Sequence, residues 1–237
     1  MNQKTKSFLA DYLPILLLAP LIIVSGLLAK QAVIKIIPAV GTLFIVLLSS
    51  KLYRVAFLLG AANCVLYSVG FFADGLYGSL VSTLLVSAPL QIASFFLWKR
   101  RAYKQATVFR VMKPGWYPPL IIMLAALWWG MLKYGSKWLA LLNKDKVSDM
   151  ISLDSLLFAL GLVVTVLLMF AFVEGYALNL VSCVLSCVMW GVLMARDMSN
   201  VTYLLISLYT TYRISIALVK SINMYRAQRA QAKEAAA

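Results

Sequence analysis

Cys64-Val-Leu-Tyr-Ser-Val69 returns further along the chain as Cys183-Val-Leu-Ser-Cys-Val188, with four of the six positions unchanged. The same offset carries Leu48 onto Leu167, Leu59 onto Leu178, Thr83 onto Thr202 and Leu85 onto Leu204. Basic residues follow both units, near Arg101 and near Lys220. Self-similarity at a fixed offset is the mark of a duplicated architecture. Identities this sparse also arise by chance in apolar sequence, so the arrangement of the apolar runs has to supply the second warrant.

Those runs dominate the chain. Its 237 residues are 63% hydrophobic and 13% charged, with a mean hydropathy of +0.89, outside the range of soluble domains. A helix that spans a bilayer needs about 20 mostly apolar residues, because only internally satisfied backbone survives in hydrocarbon. Eight such helices are expected, over residues 12–29, 34–50, 54–73, 77–98, 117–134, 152–172, 175–194 and 201–219. The first could be read as a signal peptide, but Tyr12 to Ala29 is longer than an ordinary signal core and holds Pro14 and Pro20. It is read as a retained helix.

The connection from Lys99 to Gly115 carries Lys99, Arg100, Arg101, Lys104, Arg110 and Lys113 with no acid, which assigns it to the cytoplasm. Counting helices from it places both termini inside as well, and basic residues then favour the inner segments two to one. The formal charge of +14 is therefore read as topology rather than nucleic-acid binding; the basic clusters sit at the ends of apolar runs with no recognition motif beside them.

Helices two to four and six to eight form two triplets, and the single helix between them lets the second triplet repeat the orientation of the first. The expected fold is all-α: two parallel three-helix repeats joined by a linker helix, with an extra amino-terminal helix. The division is 1–33 for the tail and extra helix, 34–98 for the first repeat, 99–151 for basic loop, linker helix and outer loop, 152–219 for the second repeat, and 220–237 for a basic tail. Transporters built this way bind substrate near the midplane between the units.

Polar side chains near the helix midpoints are the candidates for such a site: Asn63, Gln91, Tyr176, Asn179, Tyr212 and Arg213. Tyr176, Asn179, Cys183 and Ser186 recur at a spacing that shares one helix face. Each residue also has a structural role open to it. Asn and Gln at mid-depth can tie two helices together, Ser and Thr can bond back to their own backbone, and Arg213 can snorkel or meet a counter-charge. Trp98, Trp116, Trp128, Trp129 and Trp138 suit interfacial anchoring, whereas Trp190, Phe71 and Phe72 lie closer to the repeats.

Catalytic chemistry finds little support. Only eight acids exist, histidine is absent, and there is no phosphate loop, paired-carboxylate site or metal-ligand spacing. Asp154 and Glu174 sit where they would cap or orient helices. The three cysteines fall in apolar runs, against a disulfide framework. No cofactor is expected; the expected partners are a small-molecule solute and the lipid bilayer, with a homo-oligomer left open.

Gly60-Ala-Ala-Asn63, Phe71-Phe72, Leu76-Tyr77 and Ser79, with Gly41-Thr42, Asp154-Ser155 and Glu174 around them, resemble the pattern of the Pnu-type bacterial vitamin transporters over about residues 40 to 220. The resemblance implies a three-plus-one-plus-three core similar in plan to the SWEET sugar transporters, and facilitated diffusion with phosphorylation by a cytoplasmic kinase trapping the vitamin. In the riboside carriers of that family a Trp-x-x-Trp motif in the seventh helix contacts substrate, with an Asn one turn on. Here those positions read Tyr176, Asn179 and Cys183. Stacking area is lost and hydrogen-bonding capacity gained, so nicotinamide riboside leads a set that includes thiamine, riboflavin and deoxynucleosides. The rival of another class is a membrane assembly subunit that transports nothing.

Overall fold

The computed structural model describes residues 3–28, 33–73, 82–100, 102–103, 106–135, 151–196 and 198–234. They form helices α1 (Gln3–Leu28), α2 (Val33–Ser50), α3 (Val55–Ala73), α4 (Ala88–Arg100), α5 (Tyr117–Gly130), α6 (Ile151–Met169), α7 (Val173–Arg196) and α8 (Val201–Glu234). A two-residue antiparallel pairing of β1 (Ala102–Tyr103) with β2 (Ala106–Thr107) interrupts the loop after α4. Leu76, Tyr77 and Ser79 of the family-like pattern fall outside the described residues.

Five helical stretches are long and apolar enough to cross a membrane, and α2, α3 and α4 add the shorter apolar stretches Ile36–Ser50, Val55–Val69 and Thr83–Lys99. The chain is thus a multi-pass membrane protein. Its surface agrees: Leu16, Leu17, Leu28, Ile121 and Ile122 are each more than 60% exposed, and α5 buries no residue at all although it is almost wholly apolar. In water such a surface would aggregate; in lipid it is solvated.

Two helices run beyond their apolar runs. α1 begins at Gln3 rather than near residue 12, and α8 continues to Glu234 rather than ending near 219. Residues 220–234 are polar, but they are mostly good helix formers with no Gly or Pro to stop them. Hydropathy marks where the hydrocarbon ends, which is not where a helix ends. At about 1.5 Å per residue, the 34 residues of α8 far exceed the roughly 30 Å hydrocarbon core. Near the amino end of α4 the backbone widens into a π-helical turn over Ser82–Ser87, just ahead of Pro89. Proline removes one N–H and clashes with the preceding turn, which a wider turn relieves.

Six helices form a closed circuit of neighbours: α2 on α3, α3 on α4, α4 on α6, α6 on α7, α7 on α8, and α8 back on α2. α1 lies outside, on α2 and α8, through Ile15 and Ile22 packed with Leu43, Leu47 and Tyr209; α5 rests on α6.

The turns α2–α3 and α6–α7 are built alike. Leu52 and Ala171 are the two non-glycine residues with positive φ, at 62° and 56°, among the described residues. In one turn Leu52 N donates to Ser49 O (2.9 Å) and Tyr53 N to Leu48 O (3.1 Å); in the other, Ala171 N donates to Leu168 O (2.9 Å) and Phe172 N to Leu167 O (3.0 Å). These are paired Schellman closures, which satisfy the last carbonyls of each helix. The offset that carries Cys64 onto Cys183 also carries Leu52 onto Ala171 and each bonded residue onto its counterpart.

Candidate functional site

Asn63 lies buried on α3 against α2. Its Nδ2 donates to Pro38 O (3.2 Å) and Thr42 Oγ1 (3.0 Å), and its Oδ1 lies over Gly41, whose Cβ, if present, would stand 3.1 Å away. Thr42 also bonds back to Pro38 O (2.8 Å) and meets Tyr67 Oη (3.3 Å). Gln91 of α4 fills the notch left by Gly60 on α3, where any Cβ would collide with its Oε1, and its Nε2 donates to Cys64 Sγ (3.4 Å). Small residues thus let polar side chains bridge helices at close range, the usual glue of membrane bundles. Asn63 and Gln91 belong to one polar layer across α2, α3 and α4.

A second layer joins α7 to α8. Cys183 Sγ points to Asn179 Oδ1 at 3.7 Å one turn away, Ser186 Oγ meets Ser207 Oγ (3.2 Å), and Cys187 Sγ meets Thr211 Oγ1 (3.3 Å). Beyond it Trp190 stacks on Tyr203, centroids 4.5 Å apart and planes 21° from parallel. Tyr203 was not among the sequence candidates. Nothing in its neighbourhood but the aromatic type marked it, because its partner is thirteen residues back on another helix.

The remaining candidates stand elsewhere. Tyr176, 1% exposed, sits in the first turns of α7 among Trp98, Phe109 and Ala217, toward the end of the ring where the central loop lies. Tyr212 is half exposed on the outside of α8. Arg213, 1% exposed, donates through Nη1 and Nη2 to Asp11 Oδ1 (3.2 Å each) and through Nε to Ser50 Oγ (3.0 Å); Asp11 Oδ2 also meets Lys51 Nζ at 2.9 Å. Its guanidinium is therefore committed to pinning α1 onto α2 and α8. Asp11 stands one residue ahead of the apolar run read from Tyr12 to Ala29, in what the sequence presents as the tail, which is why this counter-charge escaped the sequence.

Among the described residues no group of acids, cysteines and histidines could hold a metal ion. An open groove of about 620 Å³ runs along α8 past Ile216, Val219, Lys220 and Asn223, on the flank of the bundle and away from both polar layers.

No curated protein sequence matches the chain. A crystal structure of the vitamin B3 transporter PnuC is similar to it, with a TM-score of 0.69 over 91% of this chain and 92% of that one. At 16% identity this likeness concerns the fold. The family model described as nicotinamide mononucleotide transporter matches residues 32–219, which takes in α2 to α7 and the membrane part of α8. The match covers most of the length, and the chain belongs to the nicotinamide mononucleotide transporter family.

Proposed function

We propose that this transporter takes up nicotinamide riboside by facilitated diffusion, through a path between two parallel three-helix repeats, α2–α4 and α6–α8, with α5 as the linker. The paired Schellman turns at Leu52 and Ala171 support the repeat, as does the ring of six neighbours that leaves α1 and α5 outside. In this reading both termini and the basic loop after α4 lie on the cytoplasmic side of a bacterial-type inner membrane, because the basic residues concentrate there.

One observation carries the substrate. The two polar layers are made of amides, hydroxyls and thiols, and the one buried cation among the described residues, Arg213, is already paired with Asp11. A phosphorylated solute would need cations to replace its hydration, since an uncompensated buried charge is heavily penalised. A nucleoside needs hydrogen bonds to its sugar, which Asn63, Gln91 and Asn179 can supply. The cationic pyridinium of nicotinamide riboside adds attraction to the faces of Tyr67, Trp190 and Tyr203. Tyr176, Tyr212 and Arg213 have supporting rather than contacting roles in this reading.

Calorimetry on the purified chain with nicotinamide riboside, its 5′-phosphate, thiamine, riboflavin and a deoxynucleoside decides it. The riboside is expected to bind at least ten-fold more tightly than the mononucleotide. Equal or tighter binding of the mononucleotide overturns the neutral-site argument, and tighter binding of thiamine or riboflavin overturns the choice of ring.

A further inference from the structure

The loop between α4 and α5 does more than cross the surface. Phe109, 3% exposed, is inserted at the end of the ring between Trp98 of α4 and Tyr176 of α7, with ring centroids 5.9 and 6.3 Å away. Phe57 of α3 stands against Trp98 at 4.8 Å, and Ala217 of α8, Leu52 and Ala171 complete the cluster. Every wall of the ring except α2 itself reaches this one aromatic side chain or its immediate neighbours, and α2 is represented by Leu52 at its carboxyl end. Trp98 is held in place by donating Nε1 to Leu168 O (2.7 Å).

The backbone on either side of Phe109 is strapped to the same end. Phe109 N donates to Gln228 Oε1 on the extension of α8 (3.0 Å). Arg110 forms a parallel bridge beside Phe172, with Arg110 N to Ala171 O and Val173 N to Arg110 O, both 3.0 Å. Met112 N (2.9 Å) and Tyr117 Oη (3.0 Å) both donate to Glu174 Oε1. These bonds are few and border water, whereas the helices they rest on are held by continuous packing. Segments held that way open at lower free energy than the cores beneath them.

We propose that Phe109 is the plug of the cytoplasmic mouth and that residues 109–112 are its strap, which must lift from the α6–α7 turn and from Gln228 for solute to pass. This rests on the transport reading above. It assigns Tyr176 to the seat of the plug rather than to the substrate site, and it gives the polar extension of α8 a task, since Gln228 lies about two and a half turns beyond the apolar run.

A reversible staple tests it. Facing positions in a β-bridge lie within disulfide reach, so the double variant Arg110→Cys, Phe172→Cys can lock the strap without distorting its closed form. In proteoliposomes the oxidised variant should take up labelled nicotinamide riboside at least ten-fold more slowly than the same protein after reduction; a strap that is only structural predicts equal rates. A second readout needs no substrate: modification of native Cys183, two turns above Tyr176, by an impermeant maleimide applied to the cytoplasmic face. It should slow on oxidation of the staple and quicken at least ten-fold in Phe109→Ala; if that variant does not fold, Gln228→Ala should quicken it to a smaller extent. Equal uptake in the oxidised and reduced states, or Cys183 labelling indifferent to both staple and plug, overturns the proposal. Should no vitamin be carried in either state, the transport reading fails while the labelling still decides the plug.

Discussion

At the scale of single residues, the structure separates polar groups that bridge the helices of the ring in two layers from those that tie α1 to it. Gln91 occupies space that Gly60 leaves open, so Gly60→Ala must turn its amide aside while leaving the backbone in place. Loss of one hydrogen bond's worth of free energy, about 1 kcal/mol, should weaken riboside binding roughly five-fold, with little change in the thermal midpoint measured in detergent. In the proposed site Asn179 is the more direct contact: Asn179→Leu should weaken binding about ten-fold or more, read by calorimetry on protein that still reaches the membrane. Tyr176→Phe keeps the aromatic seat and should leave affinity near that of the parent. A large affinity loss there would return Tyr176 to the binding site.

At the scale of elements, α1 is joined to the ring through the ion pairs of Asp11 with Arg213 and Lys51, a hydrogen bond between Ser25 and Thr202, and an apolar seam. Asp11→Asn leaves Arg213 buried with a weaker partner, and hydrogen bonds to charged groups are worth about 1.5–3 kcal/mol. The thermal midpoint should fall by several degrees while riboside affinity stays the same; an affinity loss without destabilisation would place Arg213 in the path after all. The two Schellman turns allow a symmetric experiment. A non-glycine residue in the left-handed region is strained by about 1 kcal/mol, so Ala171→Gly, which loses only a methyl group, should be neutral or slightly stabilising. Ala171→Val adds a β-branched side chain at the same φ and should destabilise clearly. Thermal unfolding of both variants checks the pair.

At the scale of the whole molecule, the proposed orientation rests on charge. The basic loop after α4, the α2–α3 and α6–α7 turns and the extension of α8 gather at one end, where Lys51, Arg110, Lys113, Arg226 and Arg229 lie at the surface or only partly covered. A cysteine at exposed Val111 should resist an impermeant thiol reagent in intact cells and react in inverted vesicles. Reaction in intact cells would reverse the topology and place the Phe109 plug on the outer face.

The resemblance that the family match upholds came from particular residues, Gly60-Ala-Ala-Asn63 and those around it; composition and periodicity were enough to determine a multi-pass helical membrane protein and the order of its helices to within a few residues at most ends. The reason is local: an apolar run long enough to cross hydrocarbon has no other stable backbone to adopt. The turns at Leu52 and Ala171, which the structure shows to be of the same build and which stand at the offset between the two Cys-Val-Leu segments, were not legible in the sequence, because neither carries the glycine that would announce a positive φ. Which polar residues meet was settled only by the tertiary fold. Asn63 and Gln91 look equally available along the sequence, yet each is bridged to a neighbouring helix through a gap left by Gly41 or Gly60. Arg213 reads as a costly cation in search of a solute until α1 brings Asp11 from the far end of the chain, and Phe109 reads as loop until the ring closes around it. Helices are decided by bonds within a few residues; partners are decided by packing between segments from about twenty to two hundred residues apart, which no short window along the sequence contains.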